Sequence, residues 1–262
     1  MAIPMVLGVL FPPRLAITAA SVLALTSLGI LGFLEIRGIH LKYSKFSNAA
    51  ASSISSKVPS RVGMFFLYTP AFLAGVASFW LFPDGDLRFL LLKSAITIHF
   101  FKRVFEVAFI HKYSGEMGID SMIIISVSYF FLSFSLIYTQ LLTLGLPEPS
   151  IDLKNPGIAL FLIGISGNFY HHYLLSKLRE EGGKGYKIPR GGLFGMVICP
   201  HYLFEILGLL GISLISQTLY SLSATLGSAF YLVCRSYVTR RWYISKFEDF
   251  PKEVKALIPY VF

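Results

Sequence analysis

GNFYHHYLLSKLREEGGKGYKIPRGGLFGMVICPHYLFE, residues 167–205, is the stretch whose reading decides the fold. An apolar segment leads into it. The chain then turns polar, Gly-rich and basic, and a proline opens a new apolar helix carrying His201 and Glu205. Charged and hydrogen-bonding side chains beside hydrocarbon are costly unless they face a partner, a cavity or a ligand. The stretch therefore reads as the wall and lid of a polar pocket open to one side of a membrane. Composition agrees: the 262 residues are 55% hydrophobic and 14% charged, with a mean hydropathy of +0.67. Soluble domains carry about 25% charged residues.

A helix needs about 20 apolar residues to cross the ~30 Å of hydrocarbon in a bilayer. Runs of that kind stand at 15–36, 62–82, 89–110, 122–144 and 157–175, and two more at 200–216 and 221–243. The predicted fold class is all-α: a polytopic membrane protein built as a seven-transmembrane-helix bundle, in one integrated unit. The first apolar run continues to Ile36, so it reads as a retained helix rather than a cleaved leader. Residues 38–60, which include AAASSISSK, read as a flexible cytosolic linker. Cys199 and Cys234 sit in apolar surroundings and imply no disulfide framework.

The net charge of +9 follows the predicted topology. Arg37, Lys42, Lys45, Lys57 and Arg61 flank the first connection, and Lys177, Arg179, Lys184, Lys187 and Arg190 the fifth. Arg240, Arg241, Lys246, Lys252 and Lys255 cluster in the tail. The second and fourth connections hold only Arg88 and Lys154, and the sixth holds no basic residue. Basic connections stay in the cytosol, which puts the C-terminus there and the N-terminus outside. Charge distributed in this way reports orientation and lipid headgroups, not a nucleic-acid partner.

Four predicted helices carry polar stripes. Tyr68 lies in LYTPAF, two residues before Pro70, which marks a kink. His99, Arg103 and Glu106 share one helical face. Asn168, His172 and Arg179 fall within an arc of about 40° on an ideal helix. His201 and Glu205 are one turn apart, and Arg235, Thr239 and Tyr243 repeat every four residues. Stripes on several helices of one bundle call for a common polar interior. Plainer readings exist for parts of the pattern. Tyr68 suits a membrane-belt aromatic. Glu106 suits an ion pair with Lys102 or Arg103 that joins helices. Lys177 and Arg179 suit the negative end of a helix. The His201/Glu205 pair lacks the further ligands of a metal site, and no HExxH motif is present, so no metal is expected. GGKGYK follows a helix rather than a strand and is no dinucleotide fingerprint.

Three segments in this order carry a resemblance: LLSKLREEGGKGYKIPRGGLF, CPHYLFE and RRWYISKFEDFPKEVKALIPYVF. Together they resemble the C-terminal domain of the steroid 5α-reductase family, over residues 157–262. HFFKRVFEVAFIHKYSG, residues 99–115, is similar to the very-long-chain enoyl-CoA reductase branch of that family. The resemblance implies a multi-pass enzyme of the endoplasmic-reticulum membrane. Such an enzyme uses NADPH to reduce a double bond conjugated to a carbonyl in a steroid, a polyprenoid or an enoyl-CoA. It assigns residues 1–156 to the substrate side and 157–262 to the cofactor side. Asn168, His172, Arg179, Tyr186, His201, Glu205, Arg235 and Tyr243 fall on cofactor-pocket positions. His172 stands where the animal steroid enzymes have Asp, and Thr239 where His is frequent. The steroid branch's carbonyl-polarising Glu and Tyr are replaced here by Tyr68 and Phe100. A phenol donates at neutral pH, so Tyr68 is the expected donor to the substrate carbonyl, with His99 and Glu106 beside it. The partners implied are a small lipid substrate and membrane lipids. A non-catalytic lipid-binding scaffold on the same fold is the rival reading. A transporter would require paired discontinuous halves, which the sequence does not offer.

The orientation is directly testable. A glycosylation acceptor appended after Phe262 is expected to stay unmodified, and one inserted between Pro147 and Pro156 to be modified when extended far enough from the membrane. The reverse pattern overturns the predicted orientation.

Overall fold

The apolar runs become helices whose ends are set by local chemistry. In the computed structural model, which describes residues 8–40, 56–178 and 186–262, α1 spans Leu15–Ile36, α2 Ser60–Leu81 and α3 Leu87–Phe105. They are followed by α4 (Ile119–Leu141), α5 (Lys154–Lys177), α6 (Pro200–Ser216) and α7 (Leu219–Lys246). Gly38, at φ +83°, stops α1, and its amide caps the Glu35 carbonyl at 3.1 Å. Asp86 caps α3 by accepting from the Phe89 amide at 2.7 Å, and Thr218 caps α7 by accepting from Ser221 at 3.3 Å. Pro200 occupies the first turn of α6, where no N–H is needed.

α1, α2, α4 and α5 are long and apolar enough to cross a membrane, and α6 is a shorter apolar helix. This is the architecture of a multi-pass helical membrane protein. Several charges of α3, the turn after it and α7 point inward: Arg88, Lys93, Lys102, Glu106 and Arg235 are all buried. Many exposed residues are large and apolar, Trp80, Leu81 and Phe109 among them.

Two local features depart from a purely helical bundle. Lys57–Pro59 pairs antiparallel with Glu116–Gly118, so a short ribbon (β1, β2) ties the approach to α2 to the approach to α4. The second is at the end of α3, where Glu106–Ile110 widens into a π-helical turn. Arg61 donates to the Val107 carbonyl at 3.3 Å and to the Ala108 carbonyl, satisfying backbone acceptors of that turn.

Opposite ends of the bundle hold different structures. At one end the fully buried Arg88 guanidinium donates to Ile215 O at 2.6 Å and Gln217 Oε1 at 2.9 Å. It also donates to Glu148 and Asp152, at 3.0 and 2.9 Å. That hydrogen bond holds the Glu148 carboxyl below its ordinary pKa. At the other end the tail folds back under the chain leading into α6. Ile198 N–H bonds Lys255 O at 2.9 Å, Lys255 N–H bonds Met196 O at 2.9 Å, and Cys199 N–H bonds Ala256 O at 3.1 Å. Ile198, Cys199, Tyr243, Phe250, Val254 and Leu257 form a small core there.

α5 and α6 touch backbone to backbone. A Cβ on Gly164 would lie 2.3 Å from the Gly208 nitrogen, and one on Gly211 would lie 2.4 Å from the Phe161 nitrogen. Glycines at such contacts let membrane helices approach closely. Gly164→Ala is therefore expected to push α5 from α6 at a cost of about 1–3 kcal/mol, as overpacking does. A lowered thermal midpoint in detergent would register it; an unchanged midpoint would mean the contact relaxes freely.

Candidate active site

Close approach of α5 and α6 brings their polar residues together. Asn168, one turn beyond Gly164, donates through Nδ2 to the His201 carbonyl at 2.7 Å. Its Oδ1 accepts from Lys102 of α3. Lys102 also pairs with Glu106 at 3.3 Å. His99 Nε2 meets Glu205 Oε1 of α6 at 3.3 Å. Three helices are joined in this way around one polar centre.

Glu106 anchors that centre. It has no exposed surface. Its Oε2 accepts from Arg103 Nη1 at 3.1 Å, and its Oε1 lies 3.0 Å from His172 Nδ1. The other end of the Arg103 fork, Nη2, donates to the Tyr68 hydroxyl at 2.6 Å. The guanidinium carbon stands 4.8 Å from the Tyr68 ring centroid, and Tyr129 of α4 stacks on that ring at 5.6 Å.

These groups border a cavity of about 470 Å³. Tyr68, His99, Asn168, His172, Tyr186, His201, Glu205 and Tyr243 all line it, as do Arg103, Lys187 and Thr239. Apolar side chains line it as well, among them Ile96 of α3, Leu132 and Leu136 of α4, and Leu209 and Ile212 of α6. The cavity thus combines polar groups from several helices with a largely hydrocarbon lining.

The remaining sequence-derived positions fall differently. Glu106 stands behind the wall and holds Arg103 and His172 from the rear. Arg179 lies outside the described residues, beyond the end of α5. Arg235 is 2% exposed, and its Nη1 donates to both carboxylate oxygens of Glu35 in α1, each at 2.7 Å. Tyr231 and His40 also bind that carboxylate, at 3.3 and 2.6 Å. Sequence reasoning missed Glu35, although a lone carboxylate inside the first apolar run is itself a signal that a buried cation waits for it.

Glu106, His111 and His172 place ligand atoms within 4.8 Å of one another, a spacing that suits a divalent ion. Arg103 Nη1 already lies 3.1 Å from both Glu106 and His172, so a protein cation occupies that position.

His171, which sequence reasoning did not single out, fixes the chain between Tyr186 and α6. Its Nδ1 meets the Gly167 carbonyl at 2.7 Å, and its Nε2 accepts from the Leu193 amide at 3.1 Å. Gly192, at φ +52°, fits beneath the ring: a Cβ there would lie 2.7 Å from Nε2.

Comparison with known proteins gives a consistent result. The family model for 3-oxo-5-alpha-steroid 4-dehydrogenase matches residues 120–262, from α4 to the C-terminus. A steroid 5-alpha-reductase of Gossypium hirsutum is 29% identical over 71% of this chain and 76% of its own length. A 3-oxo-5-alpha-steroid 4-dehydrogenase 2 of Macaca fascicularis is 30% identical over 79% of this chain and 83% of its own. A 3-oxo-5-alpha-steroid 4-dehydrogenase 1 of Rattus norvegicus reaches 41% identity over 40% of each chain.

The Glu35–Arg235 pair yields a test of its own. Arg235→Ala leaves a buried carboxylate without its cation, which costs about 3–5 kcal/mol. Removing both partners with Glu35→Leu and Arg235→Leu is expected to recover part of that loss in thermal unfolding. Additive destabilisation would show that the pair is not coupled.

Proposed function

Because the chain belongs to the 3-oxo-5-alpha-steroid 4-dehydrogenase family, we propose that its cavity reduces a carbon–carbon double bond conjugated to a carbonyl in a membrane lipid, with NADPH as reductant. A 3-oxo-Δ4-steroid is the first substrate class, following the names of the relatives. The observation that carries the reading is the mixed lining of the cavity: polar donors from α3, α5 and α6 together with apolar side chains from α3, α4 and α6. Such a lining suits a hydrophobic molecule with one polar reacting group.

The donor set fits a dinucleotide. Asn168 and Glu205 offer an amide and a carboxylate for a nicotinamide carboxamide. Thr239, Tyr243 and Tyr186 offer hydroxyls, and Lys187 a cation for phosphate. From the family resemblance, Arg179 is the further phosphate ligand. Bound NADPH supplies the hydride for the β-carbon. The chain's own task is to orient the enone, exclude water and stabilise the negative charge that develops on the carbonyl oxygen. Tyr68 is the proposed donor to that oxygen. His99, held by Glu205 at 3.3 Å, borders the same space. The apolar wall keeps bulk water from the reacting carbons.

We assign all seven helices to the membrane, in the endoplasmic reticulum, with the C-terminus on the cytosolic side, where the basic connections lie. A second reading has a specific support. His99, Lys102, Arg103 and Glu106 form the skeleton shared with the enoyl-CoA reductase branch, which makes a long-chain enoyl thioester the alternative substrate.

NADPH consumption by the purified chain, with progesterone and with a long-chain trans-2-enoyl-CoA, decides between the two. Consumption with neither favours the lipid-binding scaffold. On the active substrate, Tyr68→Phe keeps the ring and removes the hydroxyl. It is expected to lower turnover about 10²–10³-fold, as loss of one such donor does, with NADPH affinity nearly unchanged. Parental turnover in the Phe variant would remove Tyr68 from the chemistry.

A further inference from the structure

A phenol is an ordinary hydrogen-bond donor, and Tyr68 needs help to match a group evolved to polarise a ketone. The structure supplies a neighbour that does this. The phenolic oxygen has one hydrogen and acceptor capacity for two bonds. Arg103 Nη2 donates to that oxygen at 2.6 Å. A guanidinium has no acceptor, so the Tyr68 hydrogen cannot point back at Arg103. A hydroxyl that accepts a charge-assisted bond is polarised and donates more strongly through its own hydrogen.

The ring is fixed as well as the oxygen. The Arg103 guanidinium carbon stands 4.8 Å from the Tyr68 ring centroid, and Tyr129 stacks on the ring at 5.6 Å with 23° between planes. The fork itself is held from behind, because Arg103 Nη1 donates to Glu106 Oε2 at 3.1 Å, and Glu106 Oε1 in turn lies 3.0 Å from His172 Nδ1. Glu106 is fully buried, so its carboxylate balances the guanidinium charge where water does not screen it. With its oxygens engaged by Lys102, Arg103 and His172, Glu106 serves as an acceptor, and the donor is left to Tyr68.

We infer that Arg103 is a positioning residue for the reduction: it orients and polarises the Tyr68 hydroxyl toward the cavity, and Glu106, itself met by His172, holds its guanidinium for that purpose. The inference rests on the reading of Tyr68 as the carbonyl donor, and it adds the group through which that donor acts. Tyr68 and Arg103 both line the cavity. The Tyr68 phenol is a donor at neutral pH, whereas a carboxyl group donates only while protonated.

The test uses the full chain in detergent with NADPH and progesterone labelled with carbon-13 at its 3-oxo group. It compares the parent, Tyr68→Phe, Arg103→Met and the double variant. Arg103→Met is expected to lower kcat about ten- to a hundred-fold, with the KM for NADPH nearly unchanged. In the Tyr68→Phe background it is expected to add nothing, because partners that act as one unit are non-additive. The infrared carbonyl stretch of the bound steroid, lowered in the parent, is expected to move back up in both single variants. An equal loss in both backgrounds would mean that Arg103 acts by another route; it overturns the inference and leaves Tyr68 as the donor. Parental turnover and stretch in Tyr68→Phe, or a chain that neither binds nor reduces progesterone, overturns the reading beneath it and the inference too. If Arg103→Met does not fold, Arg103→Lys serves. It keeps the charge but loses the planar fork that reaches Tyr68 and Glu106 at once. Reduced turnover with parental melting supports the inference, and full turnover overturns it.

Discussion

A carboxylate with no exposed surface, that of Glu106, is the constraint on which the polar half of this bundle depends. An isolated carboxylate in hydrocarbon is not tolerated. Breaking a buried pair costs several kcal/mol, because the remaining charge stays unpaired. The fold meets that constraint with Lys102 and Arg103 from the same helix and His172 from α5. Each partner has a second engagement: Lys102 reaches Asn168, and Arg103 reaches Tyr68. One buried charge therefore orders donors from α2, α3 and α5 around the same cavity. The π-helical turn begins at Glu106 itself. Turns of this kind appear mostly as local bulges and frequently at functional sites.

The second constraint is distance. Asn168 and His172 can meet α3 and α6 only if α5 lies close to α6, and the glycines at 157, 164 and 211 permit that approach. Packing and chemistry are linked here, because a side chain at the glycine contact would separate the residues that border the cavity. The C-terminal tail acts on the same region from below. Its backbone pairs with residues 196, 198 and 199, just ahead of His201. His171 fixes the preceding turn through the Leu193 amide. Residues far apart in sequence hold one wall in place.

Much of the fold is legible in the sequence because the decisive signal is long. A run of about 20 apolar residues is hard to mistake, and each helix boundary lies within three residues of the expected one except the end of α3, which stops at Phe105 where the π-helical turn takes over. The ribbon of Lys57–Pro59 with Glu116–Gly118 was not legible, since three residues show no period. At the site, Tyr68, His99, Asn168, His172, Tyr186, His201, Glu205 and Tyr243 were found by stripes and by resemblance, and all reach the cavity wall. Two partnerships lie outside what helical spacing reveals. Arg235 was expected among phosphates, and its guanidinium is bound to Glu35, some 200 positions away. Arg103 pairs with Glu106 as its spacing indicates and lines the cavity as expected of its face; its second nitrogen also reaches Tyr68 of another helix. Helical spacing reveals which residues share a face. It carries no information on which residue of another helix will meet them.

The position of the Tyr68–Arg103 pair follows from the same physics on the proposed reading. A reacting carbonyl has to sit where apolar wall gives way to polar wall, since its hydrocarbon body is driven to one side and its oxygen needs a donor on the other. Tyr68 lines the cavity with its ring stacked on Tyr129 and its hydroxyl bonded to Arg103. On that reading the Arg103 cation polarises the phenol, and the Glu106 carboxylate balances the cation where it is buried. A donor at Tyr68 thus draws on charges that a buried polar cluster already has to pair.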